Sequence, residues 1–173
     1  FIGLATEKGE KNAVSDKNRN PDLIGDYNLI NMNAAKAVAQ EFGVPAKLID
    51  QAIHDYKPAN MRSQRIESKK TGNHILLDAY NANPSSMPLA IDAFLKDAAT
   101  MVRPAKSKAA IGAKSANTSA VPYMILGDMR ELGKESDADH EAVIAYAEKA
   151  AKKNSARIIF IGEELNKAIA RMD

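Results

Sequence analysis

A chain of 173 residues, 45% hydrophobic and 27% charged, has the make-up of an ordinary globular protein, with room for one good core or for one small domain and part of another. The absence of cysteine excludes disulfides, thiolate metal sites and cysteine nucleophiles together, and His54, His74 and His140 are too scattered to suggest a zinc site. A net charge of +2, few aromatic residues and no Trp give no basis for nucleic-acid binding, and no apolar run is long enough to span a bilayer.

In chain order, residues 1–22 are polar, rich in Lys, Asn and Asp, and read as an irregular or edge-strand region. The opening Phe1-Ile-Gly-Leu-Ala is too short for a signal-peptide core and carries no initiator Met, so the sequence reads as part of something longer. From Asn28 onward, Leu29, Ile30, Ala34, Ala37 and Val38 recur at helical spacing, and the pattern stops near Gly43. Residues 45–56 predict a shorter helix with Val44, Leu48, Ile49, Ala52 and Ile53 on one face, and Pro58-Ala-Asn60 reads as a linker. The linker divides the chain into residues 1–60 and residues 61–173.

Beyond it, strands are expected around residues 65–69 and 74–79, joined by a turn at Thr71-Gly-Asn73. A helix over residues 87–101, a strand at 123–126, a helix over 137–152, a strand at 157–161 and a last helix from Glu163 follow. Strands alternating with helices predict an α/β fold with a mostly parallel sheet and flanking helices, and they put Asp78, Asp128 and Glu163 on one sheet edge, where ligands bind in such folds. Residues 103–120 carry Arg103, Lys106, Lys108 and Lys114, no acid, and little beyond Ile111 to bury. They read as a flexible insertion, with a basic nucleic-acid tether as the alternative.

The densest chemistry lies in Asp78-Ala-Tyr-Asn-Ala-Asn-Pro-Ser-Ser-Met87, between the apolar run His74-Ile-Leu-Leu77 and a helix-like run. A buried strand delivering Asp78, Tyr80, Asn81, Asn83 and Ser85 to a helix N-terminus offers donors, acceptors and free backbone N–H groups to a ligand. The alternative is that Asn83, Ser85 or Ser86 caps the helix and Asp78 fixes the turn. Elsewhere, Asn28 and Asn31 stand one helical turn apart, suited either to reading a purine edge or to capping. Arg62 in the linker could clamp a phosphate, or could be a solvated surface residue. Asp128 and Glu131 follow the strand 123–126 and could steer an ammonium group, or mark a plain turn, and His140 could pack back onto that loop.

Four of these segments, Gly25-Asp-Tyr-Asn-Leu-Ile-Asn31, Arg62, Asp78 to Met87, and Leu126-Gly-Asp-Met-Arg-Glu-Leu-Gly133 with His140 behind it, fall in the order found in the Mur ligases, which the chain resembles over nearly its whole length. The resemblance is strongest to the members that add D-alanyl-D-alanine to UDP-N-acetylmuramoyl-tripeptide in peptidoglycan synthesis. It implies that residues 1–60 are the last part of a central ATP-binding domain and residues 61–173 a Rossmann-like C-terminal domain. It further implies that Asn28 and Asn31 approach adenine, that Arg62 reaches the nucleotide on domain closure, and that Asp78 accepts hydrogen bonds from the ribose. Tyr80, Asn81, Asn83, Ser85, Asp128, Glu131 and His140 would then face substrate. Tyr27 stands where the family often has His.

The resemblance implies ATP and Mg2+ as cofactors, D-alanyl-D-alanine and the muramyl tripeptide as substrates, and a cytoplasmic monomer. No Gly-x-x-x-x-Gly-Lys-Ser/Thr loop occurs in the 173 residues, and the Lys-Gly-Ser segment expected after the last helix is missing, so the chain taken alone is expected to be inactive and to carry no metal ligands. A Mur-type ligase for another amino acid and a non-catalytic α/β nucleotide-binding module are the competing readings.

Overall fold

The computed structural model describes residues 19–102 and 121–172. The predicted insertion at residues 103–120 and most of the polar N-terminal stretch lie outside the described residues. The chain divides into two compact units, the first ending at Tyr80 and the second starting at Asn81. The linker Pro58-Ala-Asn60 lies within the first.

The first unit holds two helices and a hairpin. Helix α1 (Asp26–Glu41) starts after Gly25, whose φ of 85° is accessible because it lacks a Cβ. It ends at Gly43 in a Schellman motif: Val44 N–H donates to the Ala39 carbonyl and Gly43 N–H to the Gln40 carbonyl, each at 3.0 Å. Helix α2 (Ala46–Asp55) follows directly and is tied to α1 by Lys36 and Asp50 at 2.8 Å. Asn20 is fully buried, its amide donating to the Ile53 and Tyr56 carbonyls at 2.7 Å each and its Oδ1 accepting from Asp22 N–H. A stretch without periodicity is thus stapled to the end of α2 by one amide.

Strand β1 (Gln64–Glu67) pairs antiparallel with β2 (His74–Leu77), Gln64 opposite Leu77 and Glu67 opposite His74. The predicted turn is present, with Gly72 at φ 70° and its N–H donating to the Ser68 carbonyl. One expectation is corrected here. Asp78 follows β2 of this two-stranded hairpin, so among the described residues it does not share a sheet with Asp128 and Glu163. The short turn makes β1 and β2 antiparallel neighbours, since a parallel pair needs a crossover of a dozen residues or more, and among the described residues β2 pairs with β1 alone.

The second unit has the expected α/β order. Helix α3 (Ser86–Val102) is followed by β3 (Tyr123–Gly127), α4 (Ser136–Asn154), β4 (Arg157–Ile161) and α5 (Glu163–Met172). Strands β3 and β4 are parallel, Tyr123 opposite Arg157 and Gly127 opposite Ile161, as their connection through α4 requires. Alternation sends Met124, Leu126, Ile158 and Phe160 to one face, where they pack with Ile91 and Leu95 of α3 and with Ala147 and Ala151 of α4. Between α4 and α5 the small Ala168 sits beside Ile144 and Leu165, both almost wholly buried. Each of these two large side chains contributes about 1.5–3 kcal/mol.

Candidate functional site

In the first unit the linker folds onto the end of β2. The Met61 carbonyl accepts both Ala79 N–H (2.8 Å) and Tyr80 N–H (3.2 Å). Beside it, the Asp78 carboxylate takes Ser63 N–H on Oδ1 at 3.0 Å and Ser63 Oγ–H on Oδ2 at 3.4 Å. The Arg62 guanidinium lies over the Tyr80 ring, 3.6 Å from its centroid, a cation–π contact between two exposed side chains. Arg62, Asp78 and Tyr80, separated in sequence, therefore share one surface.

The asparagine pair is not arranged as expected. Asn28 is buried, with its amide donating to the Ile24 carbonyl at 2.6 Å and its Oδ1 accepting from Asn31 at 3.4 Å. One of its amide hydrogens and one oxygen lone pair are engaged at its own helix start, and it does not cap α1, whose first turn has no side-chain cap. Asn31 is exposed, so it is the member of the pair that can meet a ligand. Tyr27 turns the other way, its hydroxyl 3.1 Å from Ser63 Oγ.

In the second unit, Asn83 does what a capping residue does. Its Oδ1 accepts Ser85 N–H (3.1 Å), Ser86 N–H (2.9 Å) and the Ser85 hydroxyl (2.8 Å), while Ser86 Oγ accepts Asn83 N–H in return. Asn81 folds its side chain onto the Ala82 N–H at 3.0 Å. These contacts satisfy the start of α3 without a ligand, so the capping alternative accounts for Asn83 and Ser85.

The loop after β3 forms the wall of an open cavity of about 410 Å³, lined by Asp128, Arg130, Glu131, Ser136, Glu163 and Glu164 among others. Asp128 lines it with a carboxylate already engaged on both oxygens. Its Oδ1 accepts Leu165 N–H at 2.9 Å and its Oδ2 accepts Glu164 N–H at 3.3 Å, so it caps α5 from a different strand. Burial raises the pKa of this carboxyl, but the N–H groups of Leu165 and Glu164 outweigh it and leave it below the ordinary carboxylate value. Gly162 makes room: at φ 138°, a Cβ there would stand 2.1 Å from the Asp128 carboxylate carbon.

His140 is buried in α4 and does not line the cavity. Its Nε2 accepts Met129 N–H at 3.1 Å and its Nδ1 donates to the Ser136 carbonyl at 2.7 Å. It supports the loop from behind, as the packing alternative has it. Glu131 is exposed at the cavity rim with φ 64°, an uncommon backbone for a residue with a side chain.

Sequence reasoning missed Ser63, Gly162 and Asn20. Gly162 stood directly before the last predicted helix, which was a usable signal; for Ser63 there was none. Among the described residues no group of three or more His, Asp or Glu side chains is placed to hold a metal ion. The exposed Asp78, Arg62 and Asn31 do fit a nucleotide's ribose, phosphate and base in donor and acceptor character.

No family model matches the chain. The UDP-N-acetylmuramoyl-tripeptide–D-alanyl-D-alanine ligase of Treponema pallidum is 29% identical over 178 aligned positions, covering 98% of this chain and 33% of that protein. MurF from Acinetobacter baumannii superposes with a TM-score of 0.61 at 24% identity, over 84% of this chain and 26% of that one. MurF ligase from Thermotoga maritima, solved in complex with ADP, gives 0.51 at 22% identity over 84% and 32%. The chain spans between 22% and 33% of the length of curated relatives it matches. In sequence and in fold it matches the C-terminal region of the Mur ligases, and of their D-alanyl-D-alanine-adding members in particular.

Proposed function

We propose that the chain is the C-terminal part of an ATP-dependent ligase that joins D-alanyl-D-alanine to UDP-N-acetylmuramoyl-tripeptide in peptidoglycan synthesis, working as a cytoplasmic monomer. The observation that carries this reading is the gathering of Arg62, Asp78 and Tyr80 on one exposed surface, by residues that also match the Mur ligase pattern. The names of its relatives and the ADP complex of the Thermotoga protein support it.

In this reading Asp78 accepts the ribose hydroxyls on the lone pairs that Ser63 leaves unused, and Asn31 approaches the base. Arg62 exchanges the Tyr80 ring for a phosphate, a stronger partner because both groups are charged. Glu131, at the rim of the cavity, receives the dipeptide's ammonium group, while Asp128 and His140 hold the loop that carries it. ATP, when bound, supplies the phosphoryl group that activates the tripeptide carboxylate.

The test uses the full-length ligase that this reading implies. ADP release should require both the muramyl tripeptide and D-alanyl-D-alanine, and the 173-residue chain alone should release none. Turnover that demands a different amino acid would instead favour another Mur-type ligase. Tight ATP binding by the chain alone, with no turnover in the full-length protein, would favour a non-catalytic nucleotide-binding module.

A further inference from the structure

Three segments that the sequence keeps apart meet through one buried hydroxyl. Ser63 is only 6% exposed, and it sits between the Tyr27 hydroxyl at 3.1 Å and the Asp78 carboxylate at 3.4 Å. A carboxylate can only accept, so the Ser63 hydroxyl donates to Asp78 and must accept from Tyr27. The chain of bonds has a single direction, Tyr27 O–H to Ser63 O–H to Asp78, and ends on a charge, the arrangement in which neighbouring hydrogen bonds strengthen one another.

The backbone is built around this contact. Asn60, Met61 and Ser63 have φ of 56°, 57° and 47°, three left-handed residues with side chains within four positions. Such backbone persists only where its surroundings over-determine it. Here the surroundings are the Asp78 carboxylate, the two N–H groups that converge on the Met61 carbonyl, and the Tyr80 ring beneath Arg62.

We propose that Tyr27 and Ser63 are positioning residues for Asp78, a relay that holds its carboxylate in the orientation a nucleotide's ribose needs and ties the start of α1 to the linker. This rests on the nucleotide reading above. Ser63 takes one lone pair on each carboxylate oxygen and leaves the others outward, so two further hydroxyls can bind without displacing it. A carboxylate fixed in this way binds without first being ordered, whereas a freely rotating one loses affinity to that ordering.

The variants Tyr27→Phe and Ser63→Gly each remove one hydroxyl. Glycine suits the left-handed φ at position 63 and keeps the N–H that Asp78 accepts. In the full-length ligase each should raise the KM for ATP by roughly threefold to tenfold with kcat nearly unchanged, the worth of about one hydrogen bond. The double variant should be no worse than the poorer single one, because both cut the same relay. Effects that multiply, or that fall equally on kcat and on D-alanyl-D-alanine, would overturn the proposal. Amide exchange in the 173-residue chain tests the relay independently of nucleotide: Ser63 N–H should exchange faster in Tyr27→Phe, and an unchanged rate would overturn the relay. An Asp78→Asn ligase with normal ATP dependence would sink the nucleotide reading alone, leaving the exchange result to decide the relay.

Discussion

Asp78 and Asp128 each stand just past the last residues of a strand, and each accepts backbone N–H on its carboxylate, yet they hold different things. Asp128 takes the first N–H groups of α5, satisfying donors that have no partner inside the helix and meeting the positive end of its dipole. Asp78 takes a single N–H and a hydroxyl from a linker in left-handed conformation, and remains exposed. The same residue type in the same place along a strand is thus a helix cap in one unit and an open acceptor in the other. What decides is the segment that arrives beside it: the start of α5 leaves Asp128 half-buried, while Ser63 leaves Asp78 exposed.

The comparison is broken most severely at Gly162. Gly162→Ala puts a methyl where the Asp128 carboxylate lies and forces a side chain into a φ of 138°. Backbone strain together with loss of the cap should destabilise the second unit by about 2–5 kcal/mol, read as a lower urea midpoint at unchanged slope. An unchanged midpoint would mean that α5 is not held by Asp128. Next in size is His140→Ala, which leaves the buried Met129 N–H without its acceptor and opens a hole in α4's packed face. The expected cost is about 2–3 kcal/mol, again from urea unfolding, with the loop at 127–133 exchanging its amides faster than α4 does.

The order of elements was legible in the sequence because hydrophobic periodicity and Gly/Pro punctuation both point to it. Leu29 to Val38, Leu48 to Ile53 and the apolar runs of β3 and β4 all fall in the elements they predict. The single sheet edge was not legible. Periodicity gives strands but not which strands share a sheet, and β1 pairs with β2 apart from the β3–β4 pair. Site residues were legible as types but not as partners. Asn28 has the chemistry to read a base, yet only the structure reveals that its amide is consumed by the Ile24 carbonyl. Ser63 carries no signature at all, since a serine between Arg62 and Gln64 acquires its meaning from a carboxylate fifteen positions on.

A smaller effect is expected at Asp128 itself, and it should depend on pH. Because the folded state holds this carboxyl below its ordinary value of 3.8, its contribution to stability is fully present above that value and is lost as pH falls through the folded pKa. Asp128→Asn keeps the shape of the cap but not its charge, and should cost about 1 kcal/mol at neutral pH. Measured by urea unfolding from pH 7 to below 3, the gap between the two proteins should close on the acid side. A gap that is constant across the range would show that the charge contributes nothing.

The smallest effect on stability and the largest on ligand use should come from Asp78→Asn. The carboxylate is exposed and its partners are one N–H and one hydroxyl, which an amide oxygen can still accept in part, so the unfolding midpoint should move by less than about 1 kcal/mol. A ribose contact is different, since it exploits the charge: its loss in the full-length ligase should lower kcat/KM for ATP about tenfold to a hundredfold, the worth of roughly 1.5–3 kcal/mol for a charged hydrogen bond. Dependence on D-alanyl-D-alanine should change far less, because the cavity beside Glu131 belongs to the second unit and Asp78 to the first. If stability fell first and both substrates suffered together, Asp78 would be a linker prop of the same kind as Asp128 is a helix cap, and the contrast between the two aspartates would disappear.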